Sequence, residues 1–170
     1  RYMDRAMPYA QDGQIAQLAQ GDYIQFYYYM WLFKDALMGH TPFFRDPYQF
    51  NLPTFGLENH FNNQFIPISI FFAVLSILFG NITGYNLLLL LTFPLSGIGF
   101  YLLGDALTRS RWIGLIGGTI YALFPYRLAH LTGGQPGGFM HFLLPWIVYL
   151  YIQAIRKERW LLGFLAGCCF

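Results

Sequence analysis

The 170-residue chain is 56% hydrophobic and 11% charged, with a formal net charge of +2. A soluble domain carries about 25% charged residues, and no basic tract marks a nucleic-acid partner, so both classes are set aside. Aromatic residues make up 21% of the chain and gather near the ends of apolar runs, where Trp and Tyr rings favour the headgroup level of a bilayer.

The chain opens at Arg1 with no Met and no signal peptide, and stops at Phe170 inside the apolar run LLGFLAGCCF. It reads as a fragment of a longer protein. A polar, aromatic first third is followed by apolar stretches at 65–79, 85–104, 112–125, 139–155 and 160–170. Within the first third, IQFYYYMWLFKDALMG (24–39) reads as an aromatic helix lying in the headgroup layer, with Gly39 as its stop. The run 65–79, FIPISIFFAVLSILF, is short for a crossing and reads as a second juxtamembrane helix. YNLLLLLTFPLSGIGFYLLG (85–104) carries no charge and matches the ~20 residues that a bilayer core requires. Gly114 and Gly118 in 112–125 have the small-xxx-small spacing that lets helices approach closely. Pro94 and Pro145 suggest kinks. The adjacent Cys168 and Cys169 read as buried apolar residues.

Lys and Arg set the expected orientation. The turn DALTRSR holds Arg109 and Arg111, and RKERW holds Arg156, Lys157 and Arg159. Two crossings separate these turns, so both are expected in the cytoplasm and the loop 126–138 outside. Residues 1–84 then form one long outer loop. The expected fold class is an all-α polytopic integral membrane protein, a helical bundle of short-looped helices whose first outer loop holds two juxtamembrane amphipathic helices.

Chemistry-bearing side chains are few. Asp4, Asp12, Asp22, Asp35, Asp46 and Glu58 all precede residue 65, whereas Asp105 and Glu158 fall in the basic turns. Every acid able to act outside therefore lies in the first loop. Asp22 sits in QGDYIQF, just before the aromatic helix. There a carboxylate can serve as general base towards a hydroxyl or hold a divalent cation, and its plainer role is an N-terminal helix cap. Arg127 adjoins an apolar helix end in the Gly-rich second outer loop, suited to a phosphate or to snorkelling. His130 and His141 have no recognised metal spacing. No P-loop, GxSxG, HExxH or CxxC motif is present.

The order of features carries a resemblance. A Gly-Asp pair precedes an aromatic helix, then come ALMGHTPFFRDPYQFN, a short apolar helix ending in LFG, a spanning helix closed by DALTRSR, and a helix ending in YALFPYRLAHL. This resembles the N-terminal part of GT-C type membrane glycosyltransferases, in particular the bacterial YfhO-like membrane proteins. The resemblance implies transfer of a sugar from a polyprenyl-phosphate carrier to an acceptor on the outer face of a bacterial or archaeal cytoplasmic membrane. It matches Asp22 to the family's first-loop acid, with the role of orienting or deprotonating the acceptor, and makes Arg127 a partner for the lipid phosphate. Arg45, Glu58, His60 and His130 join Arg127 as candidate substrate-binding residues. The expected partners are the lipid-linked sugar donor and the bilayer, without nucleic acid. No cofactor is indicated, a divalent cation being left open. A multi-pass transporter or lipid flippase is the competing expectation. A non-catalytic envelope-assembly protein is a third, which would leave Asp22 dispensable.

Overall fold

The computed structural model describes residues 23–43, 46, 48, 66–132 and 136–168. Among them all regular structure is helical: α1 (Tyr23–Leu37), α2 (Ile66–Phe79), α3 (Asn81–Thr108), α4 (Arg111–Ala122), α5 (Pro125–Thr132), a 3-10 segment (Pro136–Phe142), α6 (Leu143–Lys157) and α7 (Trp160–Cys168). The chain divides into two compact units, one holding Asp22–Leu88 and the other Leu89–Phe170.

In the first unit α1 packs on α2. Tyr27 meets Phe72 and Tyr85 edge-on, with ring centroids 5.8 and 5.6 Å apart, a favourable geometry for aromatic quadrupoles. The stop at Gly39 has a definite form. Gly39 takes φ +78°, its N–H donates to Ala36 O, and His40 N–H donates to Asp35 O. This is the paired C-terminal cap that satisfies otherwise orphaned carbonyls, and the left-handed residue it needs is cheapest as Gly. Lys34 donates from Nζ to Asn81 Oδ1 at 2.6 Å, tying the end of α1 to the start of α3. At 14 residues, α2 is about 21 Å long, too short to cross a hydrocarbon core.

In the second unit, two helices flank α3 in opposite senses. Gly104 and Gly97 of α3 lie against Gly114 and Gly118 of α4, so α4 runs antiparallel to α3. A Cβ at Gly118 would stand 2.5 Å from the Gly97 carbonyl oxygen, and one at Gly104 would stand 2.9 Å from Gly114 Cα. The small residues therefore set the helix separation. Trp146 donates to Leu95 O at 2.9 Å and Arg156 to Ala106 O at 2.7 Å, so α6 runs parallel to α3. α7 packs back along α6, with Gly163 facing Ala154.

α3, at 28 residues, is the one described helix long and apolar enough to cross a membrane. α4 and α6 have 12 and 15 residues, below the ~20 that a crossing needs. α4 stops at Ala122 where the sequence suggested 125, because Pro125 lacks an N–H and disfavours helical geometry at Phe124. Pro125 then opens α5, the position that proline tolerates best. The loop expected at 126–138 thus contains a helix. Pro145, expected to kink a helix, sits in the first turn of α6 and removes no intrahelical bond. Cys168, expected among buried apolar residues, is exposed, because no described neighbour covers that face of α7.

Candidate functional site

Two clusters of polar side chains stand out, one in each unit. The first surrounds Asp46, which is 2% exposed. The Tyr28 hydroxyl donates to Asp46 Oδ1 at 2.6 Å, and the Tyr48 backbone N–H donates to the same oxygen at 3.1 Å. The second bond closes the local turn that Asp forms with the residue two positions on. Oδ2 is buried and has no partner among the described residues. Around it lie aromatic rings: Trp31 stacks on Tyr28 at 6.0 Å and meets Tyr48 at 5.4 Å. Burial, followed by the hydrogen bond and charge of Asp46, pushes the Tyr28 hydroxyl well above its ordinary pKa, so Tyr28 stays a donor.

Tyr48 links this group to a second acid. Its hydroxyl donates to Asp35 Oδ2 at 2.9 Å, while His40 Nδ1 lies 3.0 Å from Asp35 Oδ1. Burial works against the Asp35 charge, but the hydrogen bonds from His40 and Tyr48 outweigh it and hold the carboxyl below its ordinary value. Two carboxylates, three phenols or indoles and an imidazole thus share one surface beside α1. Such a set combines proton acceptors with aromatic faces.

The second cluster centres on Arg127, also 2% exposed. Its guanidinium donates from one terminal nitrogen to Ser96 Oγ and from the other to Thr92 Oγ1, the latter at 2.9 Å. Both hydroxyls spend their own protons on carbonyls one turn back in α3, Ser96 on Phe93 O and Thr92 on Leu89 O. Their oxygens are therefore left as acceptors. Cζ lies 4.8 Å from the Phe93 ring centroid, a cation–π arrangement. Nε is buried without a partner, and no salt bridge to Arg127 occurs among the described residues. A buried cation held by hydroxyls and a ring is electrostatically under-compensated, since burying a charge costs several kcal/mol unless a counter-charge is present.

His130 lies three residues on along α5, its ring 4.1 Å from Tyr126. Its Nδ1 is buried without a partner among the described residues. Gly138 backs onto it so closely that a Cβ would stand 2.5 Å from His130 Cβ, which packs the 3-10 segment on α5. His141 directs Nδ1 to Gly138 O at 2.8 Å, and its own carbonyl accepts from the Tyr121 hydroxyl at 2.7 Å.

Of the residues that the sequence singled out, Arg127 and His130 fall on one helix, α5, but face different neighbours: Arg127 bonds to Ser96 and Thr92 of α3, and His130 packs on Tyr126 and Gly138. Asp22, Arg45, Glu58 and His60 lie outside the described residues, and α1 begins at the residue after Asp22. Among the described residues no group of three or more His, Cys, Asp or Glu is placed to hold a metal ion. Sequence reasoning passed over Asp46, and it passed over Thr92 and Ser96 altogether. The DP dipeptide at Asp46 marks a turn, but nothing in the sequence points from it to Tyr28. Comparison with family models, with curated proteins and with solved structures returned no match.

Proposed function

We propose that the chain is part of a polytopic membrane glycosyltransferase that moves a sugar from a polyprenyl-phosphate carrier to an acceptor outside the cytoplasm. The observation that supports this most is in the first unit. Two helices too short to span, α1 and α2, pack on each other ahead of the long apolar α3, and a buried acid stands among aromatic rings beside them. In this reading the pair belongs to an outer loop lying on a bilayer, and its carboxylates meet a lipid-linked sugar at the surface. The membrane setting is supported by the large apolar side chains left outward, among them Leu90, Ile98, Trp112, Ile116, Ile120 and Phe164.

In the proposed reaction the acceptor hydroxyl attacks the anomeric carbon. A new C–O bond forms to the acceptor, the bond to the phosphate oxygen breaks, and polyprenyl phosphate leaves. Asp22 takes the hydroxyl proton as general base. Arg127 supplies positive charge for the phosphate, which its lack of a carboxylate partner among the described residues favours.

The test is an assay of the full-length protein in membranes with radiolabelled polyprenyl-phosphate hexoses. Protein-dependent loss of label from the carrier, with release of polyprenyl phosphate, is expected for at least one sugar. No release with any of them would overturn the reading.

One observation favours a second reading, a transporter or lipid flippase. Ser96 lies twelve residues before the end of α3, about 18 Å along its axis. Arg127 therefore meets α3 near its middle, and an ionisable group at that height in a spanning bundle marks a transport pathway. Movement of labelled lipid between leaflets without cleavage would select this reading.

A further inference from the structure

An apolar groove of about 830 Å³ runs along the α3–α4 hairpin. Its walls include Phe93, Pro94 and Ile98 of α3 and Leu115 of α4, and it reaches Leu123 just beyond α4. Arg111 and Trp112 stand at its other end, both exposed. Its lining runs from Arg111 to Ala122, the two ends of the 12-residue α4, so it is about 18 Å long. One leaflet of a bilayer core is about 15 Å thick, half of ~30 Å.

Charge is unevenly placed around the Arg111 end. Arg109 and Arg111 occupy the α3–α4 turn, and the bond from Arg156 to Ala106 O brings the last turn of α6, with Lys157, beside it. The acids near this rim are Asp105 on α3 and Glu158 after α6, so cations predominate. An apolar channel one leaflet long, opening onto a cationic rim, complements an amphiphile with a single apolar tail in the channel and an anionic head at its mouth. We propose that the groove holds an acyl chain of an anionic phospholipid, with the headgroup phosphate against Arg111. The proposal rests on the membrane reading and is independent of sugar transfer. Trp112 beside Arg111 places its indole at the headgroup level, where the ring is favoured. The close approach at Gly97 and Gly118 forms the floor, because no side chain stands between the helices there.

The test uses the full-length protein reconstituted in phosphatidylcholine vesicles. Acyl-brominated phosphatidylglycerol is added to one series, and an equal fraction of acyl-brominated phosphatidylcholine to another. The signal from Trp112 is the difference between the parent and Trp112→Phe. Brominated phosphatidylglycerol is expected to quench that component at about fivefold lower content than brominated phosphatidylcholine, the preference that one basic residue confers at an anionic surface. Arg111→Gln should abolish the difference, and Arg111→Lys should keep most of it. Equal quenching by the two lipids would overturn the proposal in favour of a non-selective lipid shell. No quenching by either would overturn it in favour of a neighbouring helix or a second copy covering the groove. Extraction of the vesicles with alkaline carbonate separates these outcomes from failure of the membrane reading, since a chain released by carbonate overturns that reading as well.

Discussion

The Tyr28 hydroxyl donates to Asp46 across 2.6 Å, joining the first helix to a turn eighteen residues later. Asp46 is almost wholly buried, and among the described residues Tyr28 supplies its side-chain donor. Removing one partner of a buried acceptor leaves the desolvation cost without its compensation, about 1–3 kcal/mol. Tyr28→Phe should therefore lower the melting temperature of the detergent-solubilised protein. Asp46→Asn keeps the shape and should recover part of the loss when combined with Tyr28→Phe. A Tyr28→Phe variant as stable as the parent would show that the bond contributes nothing.

The α3–α4 contact gives a sharper steric test. A methyl group at position 118 would stand 2.5 Å from the backbone oxygen of Gly97, whereas one at position 167 would meet nothing within 4 Å. Forcing an extra carbon into a packed contact costs about 1–3 kcal/mol. Gly118→Ala is expected to destabilise by that amount. Gly167→Ala, which gains helix propensity without a clash, should be neutral or slightly stabilising. Thermal unfolding of the two variants side by side decides the matter.

What was legible in the sequence was whatever depends on local pattern. The aromatic run 24–39 and the short apolar run 65–79 correspond to α1 and α2, because periodicity and stop signals such as Gly39 are written in neighbouring residues. Gly114 and Gly118 announced a close helix contact for the same reason. The partners of Arg127 were not legible. Thr92 and Ser96 lie thirty-five and thirty-one residues away, and as single hydroxyls in an apolar helix they look like ordinary packing residues. Only the turn-back at Pro125 aims α5 at them. Asp46 was hidden in the same way, since its side-chain partner, Tyr28, lies eighteen residues away on α1.

The Asp35 network should respond to acid. Hydrogen bonds from His40 and Tyr48 outweigh the opposing effect of burial and hold its pKa below the unfolded value. A depressed carboxyl contributes stability that is fully present above the unfolded pKa, about 3.9. That contribution is lost as pH falls through the lower, folded value. The end of α1 should therefore loosen below about pH 4, seen as a change in Trp31 fluorescence, because Trp31 rests on Tyr48. In Asp35→Asn the acid transition assigned to this site should vanish while the neutral-pH spectrum stays near that of the parent.

Arg127 can be tested for two roles at once. If its charge serves a phosphate, Arg127→Lys should raise the apparent KM for a polyprenyl-phosphate sugar, because an ammonium does not reproduce the planar donor set. Loss of binding shared by ground and transition states raises KM with kcat unchanged. The pair Thr92→Val with Ser96→Ala removes the hydroxyl partners and keeps the charge. If Arg127 only clamps α5 to α3, that double variant should reproduce the KM rise. If the phosphate is its target, the double variant should lose stability while KM holds.

The assignment of Asp22 separates cleanly from its plainer role. Asp22 is the residue directly before α1 in the chain, a position where Asp and Asn cap helices about equally well. Asp22→Asn therefore keeps a capping oxygen and removes the base. Loss of a cap altogether, as in Asp22→Ala, costs about 1 kcal/mol of stability, whereas loss of a general base costs about 10²–10⁴-fold in rate. If Asp22 is the base, Asp22→Asn should accumulate in membranes at the level of the parent and transfer sugar at least about a hundredfold more slowly. Asp46→Asn supplies the comparison, since Asp46 is a buried acid among the described residues. A normal rate in Asp22→Asn together with a collapsed rate in a well-folded Asp46→Asn would move the base from the start of α1 to the turn that Tyr28 holds.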